Sequence, residues 1–197
     1  MVKKLQEKLK ELRLDYLVTG SWSQKASQEA VRLLGPDHVN VAIDAKKANN
    51  GKFGTIPPES TWQLSDTPAM VYLCENETVD GVEFPNFPKV LESKSADDKT
   101  VVVGDFSSTI LSRRIPFDQF SLIFFGAQKN LGIPGITPVI IKKSLLSVLS
   151  QGSPETVRKL GLPVAPTILD YAVTAKNNSL YNTLSIFEYD SLPCYNM

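Results

Sequence analysis

Short apolar runs alternate along the chain with polar or amphipathic stretches. Residues 16–19, 39–43, 70–74 and 100–103 are rich in Val, Ile, Leu and Tyr, and F-S-L-I-F-F at 120–125 is a fifth run. A further β-rich run follows at 138–143. Runs of this length, bounded by Gly, Pro, Asn and Asp, predict buried strands. They are continuous rather than alternating, which predicts strands covered on both faces, as in a parallel sheet. Between them, Leu5, Leu9 and Leu12 recur at steps of four and three amid charge, so residues 2–13 predict an amphipathic helix. Gly20-Ser21-Trp22-Ser23 predicts a turn opening a helix through about Leu34, with Ser21 or Ser23 as its cap and Gly35-Pro36 as its stop. Residues 59–64 predict a helical turn and 87–93 a short helix, followed by a polar surface turn at 93–99. Residues 144–150 predict another short helix, capped by Ser144. Asn49–Pro58 predicts a loop and Gly81–Pro88 an extended segment. Beyond 151, Pro154, Pro163, Pro166 and Pro193 break any clear period. Strands alternating with helical crossovers predict an α/β fold, a mainly parallel sheet flanked by helices.

Composition narrows the function. The chain has 197 residues, enough for one α/β domain or a domain with a fragment of another. Lys+Arg and Asp+Glu each total 21, so the net charge is zero and the electrostatic case for nucleic acid or an anionic membrane falls away. No apolar run approaches the ~18 residues of a membrane-spanning helix, and the charged start lacks the apolar core of a signal peptide. Cys74 and Cys194 do not make a disulfide framework, and Cys74, inside an apolar run, reads as a buried small hydrophobe. A cytoplasmic protein is the expectation. His38 is the only histidine, which argues against His-based triads and His-rich metal sites.

Three of the predicted strands end in polar clusters, at Asn76–Thr78, Asp105 and Gln128-Lys129. In a parallel sheet those ends share one edge, where open α/β sheets bind ligands. Lys129, at the mouth of a buried strand, is a candidate nucleophilic amine, though a solvated turn lysine looks the same in sequence. Asp105 alone reads equally as a loop cap, and Trp22 as partly buried packing. Taken as a pair, Lys129 and Asp105 meet the demands of pyridoxal phosphate. That cofactor needs an amine to condense with its aldehyde and an acid to keep its ring nitrogen protonated as an electron sink. Trp22 offers a flat face to the ring, and Thr78 and Gln128 offer hydrogen bonds.

Five motifs carry a family resemblance: G-S-W-S at 20–23, C-E-N-E-T-V-D-G at 74–81, D-F-S-S-T-I-L-S-R at 105–113, G-A-Q-K-N at 126–130 and N-N-S-L-Y-N-T at 177–183. In this order they resemble phosphoserine aminotransferase, and most closely its fungal members. The resemblance implies the large domain of a fold-type-I, pyridoxal-phosphate-dependent, class-V aminotransferase. It implies Lys129 as the Schiff-base lysine and acid–base group, Asp105 on the pyridinium nitrogen and Trp22 stacked on the ring. Thr78 would lie near the ring hydroxyl and Gln128 at a hydrogen-bonding position beside the lysine. Asn182 and Thr183 would reach across a homodimer to the neighbouring cofactor's phosphate. The implied reaction converts 3-phosphohydroxypyruvate and L-glutamate to O-phospho-L-serine and 2-oxoglutarate, in serine biosynthesis. The likeness runs over 16–187. Residues 1–15 form a helix of unclear origin and 188–197 an unmatched tail. The family's glycine-rich phosphate turn, His-Arg pairs and carboxylate-binding arginine have no counterpart, so the expectation is a truncated large-domain core. The alternatives are a non-catalytic remnant and another fold-type-I chemistry, such as a lyase or a desulfurase. A desulfurase needs a mobile cysteine, which Cys74 in a strand does not offer.

Overall fold

The computed structural model describes residues 2–96, 99–183 and 185. The predicted tail at 188–197, with Cys194, lies outside the described residues. Eight strands are described: β1 (Leu14–Val18), β2 (Val39–Asp44), β3 (Met70–Cys74), β4 (Asn76–Glu77), β5 (Val82–Glu83), β6 (Val101–Asp105), β7 (Leu122–Phe124) and β8 (Val139–Ile141). Six of them form one sheet in the order β2-β1-β3-β6-β7-β8. The first five in that order pair in parallel, and β8 closes the sheet antiparallel to β7. β4 and β5 make a separate antiparallel hairpin.

Alternation along the central strands explains the unbroken apolar runs. Successive strand residues point to opposite faces. Leu17, Val71, Leu73, Val102 and Ile123 belong to one buried cluster, with Leu91, Phe106 and Phe120. Tyr16, Val18, Tyr72 and Cys74 belong to another, with Ala30. The central strands therefore have no solvent face. Gly104 in β6 is set by this packing: a Cβ there would lie 2.7 Å from the Phe106 ring and 2.8 Å from that of Phe120. Those two rings meet edge to face at 5.2 Å. Asp15 in β1 is fully buried, and its charge is matched by donors: Ser65 N at 2.7 Å, Ser65 Oγ at 2.6 Å and Asn40 Nδ2 at 3.0 Å.

The helices are α1 (Val2–Lys10), α2 (Ser21–Leu34), α3 (Ala45–Ala48), α4 (Lys89–Ala96), α5 (Ala127–Asn130), α6 (Lys143–Leu149), α7 (Pro154–Lys159) and α8 (Tyr171–Lys176). Several differ from the sequence prediction. Helix α2 begins after Gly20, and neither Ser21 nor Ser23 is its N-cap. Ser23 Oγ instead accepts from the N–H groups of Thr19 and Gly20, at 3.0 and 3.2 Å. Helix α6 begins at Lys143, so Ser144 is inside it rather than capping it. Helix α4 runs on into the predicted surface turn as far as Ala96, and Ser95 in it is buried, donating to Gln119 Oε1 at 2.7 Å. Past residue 151 the chain does form helices, α7 and α8, whose first N–H groups are held by Ser153 and Asp170 side chains. None of the described helices is long and apolar enough to cross a membrane.

Candidate active site

The sheet order determines where side chains converge. From β1 the chain passes through α2 to β2 on one side, then returns to β3 on the other side of β1. The connections leaving the carboxyl ends of β1 and β3 thus diverge, which is the topological switch point where open α/β sheets hold ligands. Trp22 follows β1 and Thr78 follows β3, and they meet: Trp22 Nε1 donates to Thr78 Oγ1 at 3.1 Å. Lys129, in helix α5 after β7, joins them. Its Nζ donates to the same Thr78 Oγ1 at 3.1 Å and lies 4.7 Å from the centre of the Trp22 ring. With both lone pairs of Thr78 Oγ1 engaged, its own O–H is left to donate to a third group. All three side chains are exposed to solvent.

Asp105 ends β6, where Cys74 of β3 and Phe124 of β7 are its register partners. Its Oδ1 accepts from the N–H of Ser107 at 2.9 Å and from Ser107 Oγ at 2.5 Å. Ser107 Oγ in turn accepts from the Gly126 N–H at 3.0 Å, tying Asp105 to the residue that opens the Lys129 helix. The loop-cap and acid readings of Asp105 are therefore compatible: one carboxylate oxygen fixes the turn, and among the described residues no side-chain hydrogen bond engages the other. Gln128 is exposed and folds back on Gly126, where a Cβ would lie 2.5 Å from Gln128 Oε1. Asn182 and Thr183 are exposed near the end of the described chain and join no other site residue. Asn182 Nδ2 donates to Thr183 O, at 3.3 Å, and among the described residues to no other group.

Three contributors escaped the sequence analysis. Lys25, one turn along α2, places its Nζ 4.6 Å from the Trp22 ring centre. Glu77 and Asp80 reach from the β4–β5 hairpin to the start of α2. Asp80 Oδ2 accepts from Ser21 N at 2.6 Å, Glu77 Oε2 from Trp22 N at 2.8 Å and Glu77 Oε1 from Ser23 N at 2.9 Å. Only the C-E-N-E-T-V-D-G motif as a whole pointed there, because a carboxylate acting on a helix more than fifty residues away leaves no local pattern. Electrostatics at the buried end of β3 are unfavourable for a thiolate. Burial pushes the Cys74 thiol up, the Glu77 and Asp105 carboxylates push it further, and the Lys129 ammonium opposes them weakly.

The residues present fit the ring of pyridoxal phosphate: an amine over an indole face, a hydroxyl with a donor to spare, and a carboxylate on the next strand end. The cofactor's phosphate is a different matter. A helix N-terminus often holds such a group, but three first-turn N–H groups of α2 already serve Glu77 and Asp80. A cavity of about 760 Å3, lined in part by Glu75, Phe84, Phe106, Arg113 and Phe120, includes none of the predicted site residues. Arg113 there is committed to the hairpin, in contact with Glu75 and 3.1 Å from Glu83.

A lysine, an acid, an aromatic ring and a hydroxyl on the carboxyl edge of a mainly parallel sheet define the large-domain core of a fold-type-I enzyme. The aminotransferase class-V family model matches residues 6–188, and the chain belongs to that family. It is 51% identical over 175 residues to phosphoserine aminotransferase of Saccharomyces cerevisiae, covering 87% of this chain and 43% of the relative. With the phosphoserine aminotransferase of Delftia acidovorans it is 38% identical over 170 residues, covering 86% and 41%. Among solved structures, phosphoserine aminotransferase from Bacillus circulans subsp. alkalophilus superposes with TM-score 0.71 at 36% identity, over 94% of this chain and 46% of the other. The PLP-bound phosphoserine aminotransferase from Trichomonas vaginalis superposes with TM-score 0.67 at 36% identity, over 89% and 43%. The chain thus spans less than half the length of the curated relatives it matches.

Proposed function

We propose that this chain is the cofactor-facing core of a phosphoserine transaminase, acting with pyridoxal phosphate on L-glutamate and 3-phosphohydroxypyruvate to give O-phospho-L-serine and 2-oxoglutarate. The observation that carries the proposal is the meeting of Lys129 with Trp22 and Thr78 at the switch point, in a chain 51% identical to the yeast phosphoserine aminotransferase. When bound, the cofactor supplies an electron sink for the carbanion formed at the amino-acid Cα. The protein's part is to hold and to move protons. Trp22 covers one face of the ring and keeps water from it. Thr78 would donate its O–H to the ring oxygen, and the amine of Lys129 would hold the cofactor until an amino acid displaces it. Lys129 Nζ then takes the α-proton as base and returns it as acid. Asp105, fixed by Ser107, holds a proton on the ring nitrogen. Gln128 hydrogen-bonds beside the lysine, and Asn182 and Thr183 serve the partner subunit's phosphate in a homodimer of the serine-biosynthetic cytoplasmic enzyme.

A second reading, cofactor binding without turnover by this chain alone, is favoured by the arginines. Arg32 is paired with Glu29, and Arg113 with Glu75 and Glu83, so both are engaged by the chain's own carboxylates, and a doubly anionic phosphate substrate needs such partners. Assay with glutamate and 3-phosphohydroxypyruvate separates the two. Turnover that is lost in Lys129→Ala supports the transaminase. Cofactor uptake without turnover, restored by mixing with a full-length homologous subunit, supports the second reading. Turnover of other keto acids only would move the chain to another member of the family.

A further inference from the structure

The chain's own carboxylates hold the ring-facing residues together. Thr78 sits on the turn of the β4–β5 hairpin, next to Glu77. Trp22 sits on the first turn of α2. Glu77 is fully buried, and its two oxygens accept from the N–H groups of Trp22 and Ser23. The fit is close. A Cβ on Gly20 would lie 2.5 to 2.6 Å from Glu77 Cγ, Cβ and Cδ, so only glycine lets the carboxylate reach the helix. Gly20 has φ of −165°, ordinary extended backbone, so space rather than strain demands the glycine. Asp80 on the same turn adds a third bond, to Ser21 N. Negative charge at a helix N-terminus is also favoured by the helix dipole. The Trp22–Thr78 hydrogen bond alone joins two exposed side chains, and it cannot hold them in one geometry.

We infer that Glu77 is a positioning residue for the cofactor site: its carboxylate clamps the hairpin bearing Thr78 onto the first turn bearing Trp22, setting the indole plane and the hydroxyl at a fixed separation. This rests on the cofactor assignment proposed above, but the clamp is measurable without the cofactor. First-turn amides of a helix ordinarily lack partners and exchange freely. In the wild-type chain, the Trp22 and Ser23 amides are expected to exchange at least tenfold more slowly than unstructured amides. Free exchange at both would overturn the inference.

Variants then test the consequence. In a Trp62→Phe background, where Trp22 is the remaining tryptophan, Glu77→Gln keeps one acceptor and opposes the other N–H with an amide donor. It should raise acrylamide quenching of Trp22 severalfold and weaken pyridoxal phosphate binding about tenfold or more, while borohydride still fixes the cofactor on Lys129 at saturation. Gly20→Ala, which keeps the charge but displaces it, should do the same. Thr100→Val is the control: it removes a buried hydrogen bond to Pro68 O far from the site, and should leave both readouts at their starting values. Wild-type quenching and affinity in Glu77→Gln, or equal losses in Thr100→Val, would overturn the clamp. Failure of the wild-type chain to take label at Lys129 would instead overturn the cofactor assignment and leave the amide-exchange result standing.

Discussion

Replacing Trp22 by alanine separates a cofactor platform from a core residue. The side chain is 37% exposed. It donates one hydrogen bond to an exposed hydroxyl and lies under two lysine ammonium groups, at 4.6 and 4.7 Å. A cation–π contact at an exposed site contributes about 0.5–1 kcal/mol, and a typical hydrogen bond a net of about 0.5–1.5 kcal/mol. Releasing Lys25, Lys129 and Thr78 returns side-chain entropy that offsets part of this. These contacts therefore contribute about 1–2 kcal/mol, and the part of the indole removed from water adds about 2–3 kcal/mol. For a chain of this size a total of about 3–5 kcal/mol lowers Tm by roughly 6–20 °C. Stacking of a flat aromatic ligand on an indole is worth about 1–3 kcal/mol by alanine substitution, so cofactor affinity should fall roughly 5- to 150-fold. Trp22→Phe, which keeps a smaller face but loses the Nε1 donor, should fall between wild type and alanine. Thermal unfolding and cofactor titration on the same preparations provide the assay. Wild-type affinity in Trp22→Ala would refute the stacking role. Global unfolding of that variant would show that the residue belongs to the core.

Other positions carry sharp expectations. Asp105→Asn keeps an oxygen to accept from Ser107, so stability should change by about 1 kcal/mol or less and Tm by less than about 4 °C; the pH dependence of the bound cofactor's absorbance should shift, since an amide cannot hold the ring nitrogen protonated. Gly104→Ala drives a methyl into the Phe106 and Phe120 rings and should cost about 1–3 kcal/mol in urea unfolding. Cys74 gives a pH signature. Its folded thiol is raised by burial, so above the unfolded value of about 8.5 the unfolded chain releases a proton that the folded chain keeps, and stability falls as pH rises by about 1.4 kcal/mol per unit. Cys74→Ala should flatten that fall between about pH 8.5 and 10, before Tyr72 and Tyr16, also raised by burial, contribute their own.

The strands were legible because their signal is local. Met70–Cys74 was read with its observed limits, and the polar residues ending β3, β6 and β7 fall on one edge as the parallel arrangement required. Lys129, Trp22 and Thr78 were legible as residue types at strand ends, and the sheet order brings them into contact. The details that failed depend on distant partners. Helix α2 begins where it does because Glu77 and Asp80 arrive from the hairpin, which no serine near position 21 reveals. The hairpin itself is only two residues long on each strand and turns at Gly81, with φ of +66°, so its apolar pattern is too short to show a period. Helices α7 and α8 are six residues each, capped by Ser153 and Asp170, with no fully buried residue, and so short a helix is too brief to show a hydrophobic period.

Chemical trapping is the sharpest test of Lys129 as the amine of a cofactor site. The purified chain is incubated with pyridoxal phosphate, reduced with borohydride, digested, and the labelled peptide is sequenced. Lys25 is the sharpest internal rival, since its Nζ is as close to the Trp22 ring as that of Lys129; Lys142 and Lys143, after the β8 run, are the next. One labelled peptide is expected, carrying the cofactor on Lys129, and it should be lost in Lys129→Ala. Label on Lys25, Lys142 or Lys143, or spread over surface lysines, would contradict that assignment.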